Sequence, residues 1–156
     1  MNITFNRIVD APVANVFQVY SDFGNVAARV DGIQKIEMLN DDPIGIGTRF
    51  RETRVMFGRE STEEMEITEF EPNKQYTVEA YSCGSQFQSI FRFQPSGNST
   101  KVEVELNTRS VSLFAKLMSP FGFLMAGSMK KMFMSDIDQL NRYCEQPIDP
   151  HPDLTS

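Results

Sequence analysis

The order of hydrophobic and polar positions along the chain predicts one strand, two short helices, six further strands and one long helix. Apolar and polar residues alternate over residues 2–9, as in a half-buried strand. Asp10, a favourable N-cap residue, and Pro12, suited to a first helical turn, then precede apolar residues at helical spacing up to Tyr20. A second short helical turn is predicted over residues 26–30. Two small helices therefore separate the first strand from the rest of the chain.

The middle of the chain changes to a period of two, which predicts consecutive strands joined by turns rich in Gly, Pro, Asn and Asp. The predicted strands are 33–39, 47–57, 61–70, 76–82, 85–93 and 101–107. Their faces are clearest in the last strand, where Val102, Val104 and Leu106 alternate with charged residues. One face of the sheet is therefore expected to be covered, and the other is expected to meet water.

The helix that covers this sheet is predicted over residues 111–145, because apolar residues recur there at three- and four-residue steps and polar residues occupy the opposite side. Pro120 and Gly122 are expected to kink or break this helix near its start. We expect the first strand to pair with the last at an edge of the sheet, since two helices lie between it and the second strand. Residues 1–145 then form one domain, and the proline-rich residues 146–156 are expected to be disordered.

The length, charge and hydropathy of the chain indicate a soluble domain. At 156 residues, folding buries about 70% of the unfolded chain's surface, enough for a core without disulfides or metals. A formal net charge of -6 argues against nucleic acid as a partner, because phosphate affinity comes from clustered Lys and Arg. With no leader pattern and no apolar run of about 20 residues, we expect a cytoplasmic protein that does not insert stably into a membrane.

Motifs for catalysis or cofactor binding are scarce in this sequence. The only histidine, His151, lies in the predicted tail, which argues against an imidazole general base and a histidine-ligated metal. Cys83 and Cys144 match no zinc or redox spacing. The Gly-Ile-Gly segment at residues 45–47 lacks the third glycine and the following helix of a phosphate loop. We therefore predict no metal, no cofactor and no catalytic residue.

A series of markers along the chain resembles the START-like (SRPBCC) superfamily of polyketide cyclases, dehydrases and lipid-transfer proteins. The resemblance covers about residues 2 to 145 and implies an α+β helix-grip fold. In that fold, a curved seven-stranded antiparallel sheet wraps around a long C-terminal helix, and two short helices connect strands one and two. The markers are residues 10–17 (DAPVANVF), Asp22, Gly32-Ile33, Gly47-Thr48-Arg49, and Val78 after residues 69–72 (EFEP).

A curved sheet around a helix leaves a space that can hold an apolar ligand, so we predict a pocket between them. Alternation fixes which residues of a strand share a face but not which face points inward, and a filled core is the alternative. The predicted inward residues are Phe50, Glu52, Arg54, Met56, Met65, Ile67, Tyr76, Val78, Ala80, Phe87, Ser89, Phe91 and Phe93 from the sheet, and Met118, Phe121, Met125, Met129 and Phe133 from the helix.

Glu52 and Arg54 are the most informative polar candidates, because they fall in register with apolar neighbours on the same strand. If that face points inward, a carboxylate and a guanidinium do so too, and burying either alone is costly. They either pair with each other, or Arg54 binds a ligand carboxylate through two hydrogen bonds. The alternative is that this half of the strand extends into water. Weaker polar candidates are Tyr81, Asp136 and Ser89.

Three functions are compatible with these features. The first is the binding of a small hydrophobic molecule, such as a lipid, an isoprenoid or a polyketide-like aromatic. The second, which the resemblance implies, is a cyclase- or dehydratase-like enzyme acting in the same cavity. The third is a protein-interaction module. The absence of a pocket histidine and of a recognisable acid/base pair favours binding over catalysis, and a cyclase- or dehydratase-like enzyme stays the alternative.

Overall fold

The structure is a computed structural model, and it describes residues 2–56, 58–82, 84–110 and 113–146, with the side chains of residues 110–126 outside that description. The predicted tail lies beyond the described residues, apart from Gln146. The elements are β1 (Asn2–Val9), α1 (Val13–Ser21), a 3-10 helix (Phe23–Ala28), β2 (Ile33–Met38), β3 (Arg49–Met56), β4 (Arg59–Glu71), β5 (Gln75–Ser82), β6 (Ser85–Ser96), β7 (Ser99–Ser110) and α2 (Leu113–Glu145).

The strands form one seven-stranded sheet in the order β1-β7-β6-β5-β4-β3-β2. All neighbouring strands are antiparallel, and β1 pairs with β7 along its whole length, with Phe5 opposite Val104. The predicted fold class and the predicted edge pairing of the first and last strands are both confirmed. The two short helices carry the chain from one edge of the sheet at β1 to the other at β2.

The start of β3 is fixed by two backbone hydrogen bonds to β4. The N–H of Gly47 donates to the carbonyl of Ile67 at 2.8 Å, and the N–H of Ile67 donates to the carbonyl of Thr48 at 2.9 Å. Gly47 has a φ of 90°, which a residue with a Cβ rarely adopts. This start sets the alternation of β3, so that Phe50 and Arg54 point to the covered face, where they are 2% and 8% exposed.

An aromatic cluster joins the short helices to the covered face of the sheet. Ring centroids lie 5.2 Å apart for Phe17 and Phe93, 5.3 Å for Tyr20 and Phe93, and 5.3 Å for Phe23 and Tyr76. All three pairs are edge-to-face, an arrangement that aromatic rings favour because ring edges are positive and faces negative. The rings therefore form a solid end of the core beneath α1 and the 3-10 helix.

Helix α2 covers the sheet and contacts α1, β1 and β7. Its C-terminal half buries Ile137 and Leu140 at 5% and 7% exposure. The backbone is helical without interruption through Pro120, so the helix does not break there, and a kink at this point stays a prediction. A proline removes one helical hydrogen bond, and the bonds of the remaining turns are sufficient to continue the helix. Within the described part of the chain, no helix combines the length and the apolar character needed to cross a bilayer.

Candidate functional site

A partly open cavity of about 180 Å³ lies between the covered face of the sheet and the C-terminal half of α2. Strands β2 to β7 form one wall, and α2 forms the other with Met129, Phe133, Ile137 and Leu140. These helical residues follow one another at three- and four-residue steps, so they project from one side of α2. An apolar cavity of about 150 Å³ in another protein is large enough for benzene. The described side chains therefore do not completely fill the interior.

Most of the residues that the sequence predicts for the pocket line this cavity. They are Phe50, Glu52, Arg54, Met56, Met65, Tyr76, Val78, Ala80, Phe87, Ser89, Phe91, Met129 and Phe133.

Two predicted residues of the sheet are placed differently. Ile67 is fully buried in the core, opposite Val78 of β5, but it is not part of the cavity lining. Phe93 also belongs to the core, packed against Phe17 and Tyr20. The remaining predicted residues, Met118, Phe121 and Met125, have side chains outside the described set.

The structure adds lining residues that sequence reasoning did not assign to the pocket. The two short helices and the segment after them supply apolar side chains, and α2 supplies one carboxyl group that had been a weaker candidate. The helical spacing from Phe133 onward was a signal for the α2 residues, whereas nothing in the sequence indicated that the short helices close one end of the cavity. The additional residues are Tyr20, Phe23, Val26, Val30, Ile33, Ile36, Ser61, Glu63, Val104, Asp136, Ile137 and Leu140.

A buried cluster of Glu52, Arg54 and Asp136 forms the charged end of the cavity. Nε of Arg54 donates to Oε1 of Glu52 at 2.8 Å, and Nη2 donates to Oδ2 of Asp136 at 2.9 Å. The side chains of these three residues are only 9%, 13% and 12% exposed, in the order Arg54, Glu52, Asp136. The guanidinium carbon also lies 5.5 Å from the ring centroid of Phe133. This half of β3 is therefore inside the protein, and the alternative of a solvated strand end is wrong.

Burial alters the proton affinity of the cluster. The pKa of Glu52 and that of Asp136 are both raised because burial disfavours the charged carboxylate, even though Arg54 acts in the opposite direction. Burial alone would lower the pKa of Arg54, but the two carboxylates outweigh it, and the pKa of Arg54 is raised. The guanidinium thus stays charged at any physiological pH, whereas the carboxyl groups hold their protons more readily than carboxyl groups in water.

The two tyrosines at the aromatic end of the cavity have structural partners. The hydroxyl of Tyr76 donates to the carbonyl of Tyr20 at 3.2 Å, and the hydroxyl of Tyr20 donates to Oδ1 of Asn141. Burial raises the pKa of both phenols well above the ordinary value, so both remain neutral. Tyr81, another polar candidate from the sequence, is 66% exposed and lies outside the cavity lining.

Residues suited to metal or thiol chemistry are not gathered at this site. Among the described residues, no three His, Cys, Asp or Glu side chains are arranged to hold a metal ion. Cys144 is half-buried, and burial raises the pKa of its thiol to about 11. A thiol in that state is a poor nucleophile, because the reactive species is the thiolate. Cys83 and His151 lie outside the described residues.

A seven-stranded antiparallel sheet with a long C-terminal helix across it and a cavity between the two defines a protein of the helix-grip class. The sequence matches the family described as polyketide cyclase / dehydrase and lipid transport over residues 1–145. The chain belongs to this family. A search of curated proteins found no significant match.

Several solved structures share the fold at low sequence identity. A START superfamily protein from Mycobacterium smegmatis has a TM-score of 0.74 and 16% identity, covering 91% of this chain and 97% of that one. The Zhui aromatase/cyclase from a Streptomyces species has a TM-score of 0.77 and 13% identity, covering 93% of each chain. A norcoclaurine synthase from Thalictrum flavum has a TM-score of 0.69 and 17% identity, covering 92% of this chain and 93% of the other. These similarities show the fold and not an activity.

Proposed function

We propose that the protein binds a small hydrophobic molecule in the cavity between the sheet and α2. The observation that carries this proposal is a space of about 180 Å³ whose described wall is mainly aromatic, aliphatic and thioether side chains, with the charged residues of that wall at one end. Sites of this kind hold apolar ligands and orient them with a few polar groups. The family description, which includes lipid transport, is in keeping with such a role.

The volume of the cavity limits the size of the ligand. Since a cavity of about 150 Å³ accepts benzene, a space of about 180 Å³ suits a molecule or molecular segment of one or two rings, or a short branched chain. Aromatic side chains such as Phe87 and Phe91 on the sheet and Phe133 on α2 offer ring faces and edges for stacking. Aromatic or short isoprenoid ligands are therefore better candidates than a complete phospholipid.

Thermal denaturation with a panel of small aromatics, isoprenoids and acyl chains tests this proposal. A ligand that binds only the folded state stabilises it by about 2.7 kcal/mol at a hundredfold excess over Kd. Native mass spectrometry of protein from its own source should also show a retained small molecule.

Blocking the cavity provides the matching control. Ala80 lines the cavity and is 6% exposed, so Ala80→Phe should place a phenyl ring in the ligand space and abolish the thermal shift. Ala14→Phe makes the same substitution at an exposed position of α1 and should leave the shift unchanged. A shift that persists in Ala80→Phe would place the ligand elsewhere.

A second candidate function, a cyclase- or dehydratase-like enzyme, is favoured by one observation. The cavity is not wholly apolar, because Glu52, Arg54 and Asp136 converge at one end of it. A buried carboxyl with a raised pKa can donate a proton to a ligand carbonyl or hydroxyl, as a general acid does. Wild-type protein incubated with a poly-β-ketone mimic should then form cyclised or dehydrated product. Glu52→Gln and Asp136→Asn should slow that reaction by about a hundredfold or more if the carboxyls act as acids.

Absence of product above the uncatalysed rate, together with a ligand-dependent thermal shift, would leave binding as the function. The third possibility, a protein-interaction module, would be favoured by a filled interior with an exposed apolar patch, and the cavity does not support it.

A further inference from the structure

The charged end of the cavity has one positive group and several carboxyl groups. Among the described lining residues, Arg54 is the sole cation, whereas Glu52, Glu63 and Asp136 are acidic. Two of these carboxyls already accept hydrogen bonds from the guanidinium, at 2.8 Å and 2.9 Å. The charge of Arg54 is thus shared by two protein carboxyls before any ligand enters.

The pKa values of the carboxyl groups in the cluster also indicate that positive charge is scarce at this end of the cavity. The pKa of Glu52 and the pKa of Asp136 are raised by burial in spite of their contact with Arg54. A carboxyl with sufficient positive charge around it would instead have a lowered pKa. This end of the cavity is therefore short of positive charge.

One nitrogen of the guanidinium has N–H groups that donate no hydrogen bond to the described residues. Nη1 of Arg54 is buried and has no hydrogen-bond partner among the described residues. Arginine carries five N–H donors, and a buried donor without an acceptor is costly. The hydroxyls of Tyr20 and Tyr76, by contrast, already donate to protein oxygens. An acceptor atom supplied by a ligand would restore the hydrogen bonding that Arg54 lacks.

We infer, on the basis of the proposed binding function, that this site selects uncharged ligands with a ketone, aldehyde or hydroxyl oxygen that accepts a hydrogen bond from Nη1 of Arg54, and that it rejects carboxylates such as fatty acids. A neutral oxygen accepts that bond without adding charge. A carboxylate would place a further negative charge beside Glu52 and Asp136, where little water screens the repulsion. The sequence alone left two roles open for Arg54, pairing with Glu52 or capture of a ligand carboxylate, because it did not reveal the second protein carboxyl.

Three probes with one ring skeleton test this selectivity: naphthalene, 2-acetylnaphthalene and 2-naphthoate, each titrated by calorimetry and by thermal shift. At about pH 7.5 the naphthoate is fully ionised, as ordinary carboxyl groups are. We expect the ketone to bind most tightly and the naphthoate to bind at least about tenfold more weakly than the ketone. Naphthoate binding as tightly as the ketone would overturn the selectivity, and naphthalene binding would show that the proposed function survives. Failure of all three to bind would overturn the inference, and the wider panel of isoprenoids and acyl chains would decide the proposed function.

Substitutions that remove one negative charge show whether the carboxyl groups of the cluster cause the preference for the ketone over the naphthoate. Glu52→Gln keeps an oxygen for Nε of Arg54 and removes a negative charge, so it should strengthen naphthoate binding relative to ketone binding by about threefold or more. Glu60→Gln makes the same change at an exposed position of β4 and should alter neither. An unchanged ratio of naphthoate to ketone affinity in Glu52→Gln would contradict the inference.

Arg54→Lys removes the unpartnered nitrogen but keeps the positive charge. The advantage of 2-acetylnaphthalene over naphthalene should disappear in this variant, because an ammonium group has no equivalent of the guanidinium fork. A ketone advantage that survives in folded Arg54→Lys would show that Nη1 is not the donor. If Arg54→Lys does not fold, the Glu52→Gln result decides the question.

Discussion

Replacement of Arg54 by methionine tests how strongly the buried cluster depends on its one cation. The substitution leaves Glu52 and Asp136 inside the protein, only 13% and 12% exposed, without the donors that now lie 2.8 Å and 2.9 Å from them. Removing one partner of a buried ion pair costs about 3–5 kcal/mol, because the remaining charge is neither solvated nor compensated. We therefore expect Arg54→Met to lower the free energy of unfolding by about that amount at about pH 7.

The loss should depend on pH in a defined direction. In the wild-type protein the pKa of Glu52 and that of Asp136 are already raised, so the folded state binds more protons than the unfolded state at pH values above the ordinary carboxyl range. Stability from these groups is present at low pH and decreases as pH rises through that window. Without Arg54 the pKa of both carboxyls should rise further. The deficit of Arg54→Met should consequently shrink between about pH 7 and about pH 5, where the carboxyls take up protons.

Urea denaturation of both proteins at the two pH values measures the effect, with Arg92→Met as the matched control. Arg92 also bonds to two carboxylates, Glu103 and Glu105, at 2.8 Å and 3.0 Å, but its side chain is 42% exposed. Exposed pairs are worth about 1 kcal/mol or less. If Arg54→Met loses no more stability than Arg92→Met, or if its loss of stability is independent of pH, the cluster is not a buried one in which Arg54 alone compensates two carboxyl groups.

Three further substitutions follow from the structure. Gly47→Ala should destabilise the protein by about 1–2 kcal/mol in urea denaturation, because alanine is strained at a φ of 90° even though nothing lies within 4 Å of the added Cβ. Gly127→Ala should instead stabilise the protein by up to about 1 kcal/mol, because its added Cβ also meets open space and the residue lies within α2, where alanine is favoured. Equal effects of the two would contradict the conformational argument. Tyr20→Phe should cost about 1–3 kcal/mol at its Tm, because Asn141 loses a buried partner; a cost within error would show that water replaces the hydroxyl.

The sequence predicted the fold because period and turn chemistry are local properties. The alternation of Val102, Val104 and Leu106, the helical spacing before Tyr20 and the long apolar pattern after residue 111 each require only a few consecutive residues to be recognised. Strand pairing followed from the order of the elements. The continuity of α2 through Pro120 was not predictable in this way, since the stability of a helix within a protein depends largely on tertiary packing.

Sequence alternation predicted which residues of one strand share a face of the candidate site, but it did not predict which distant residues meet there. Phe50, Glu52 and Arg54 share a face by alternation, and the structure places all three in the cavity lining. The participation of Asp136 depends on where α2 crosses the sheet, which brings together residues 82 positions apart. Sequence spacing carries no information about that crossing. Alternation places Ile67 on the same face as Met65, but it does not show that Ile67 packs into the core outside the cavity lining.

The pairing of β1 with β7 has a consequence for the way the protein folds during synthesis. Asn2 lies opposite Asn107, so during synthesis the first strand of this sheet must wait for the last strand before it has a partner. Contacts between such distant residues form slowly, because a long loop must close before they are made. The hairpins from β2 to β7 can assemble in order as they emerge, whereas β1 remains an unpaired and partly apolar edge until β7 is complete. Variants that slow synthesis or folding between these two strands should therefore increase aggregation of the nascent chain more than they decrease the stability of the finished protein.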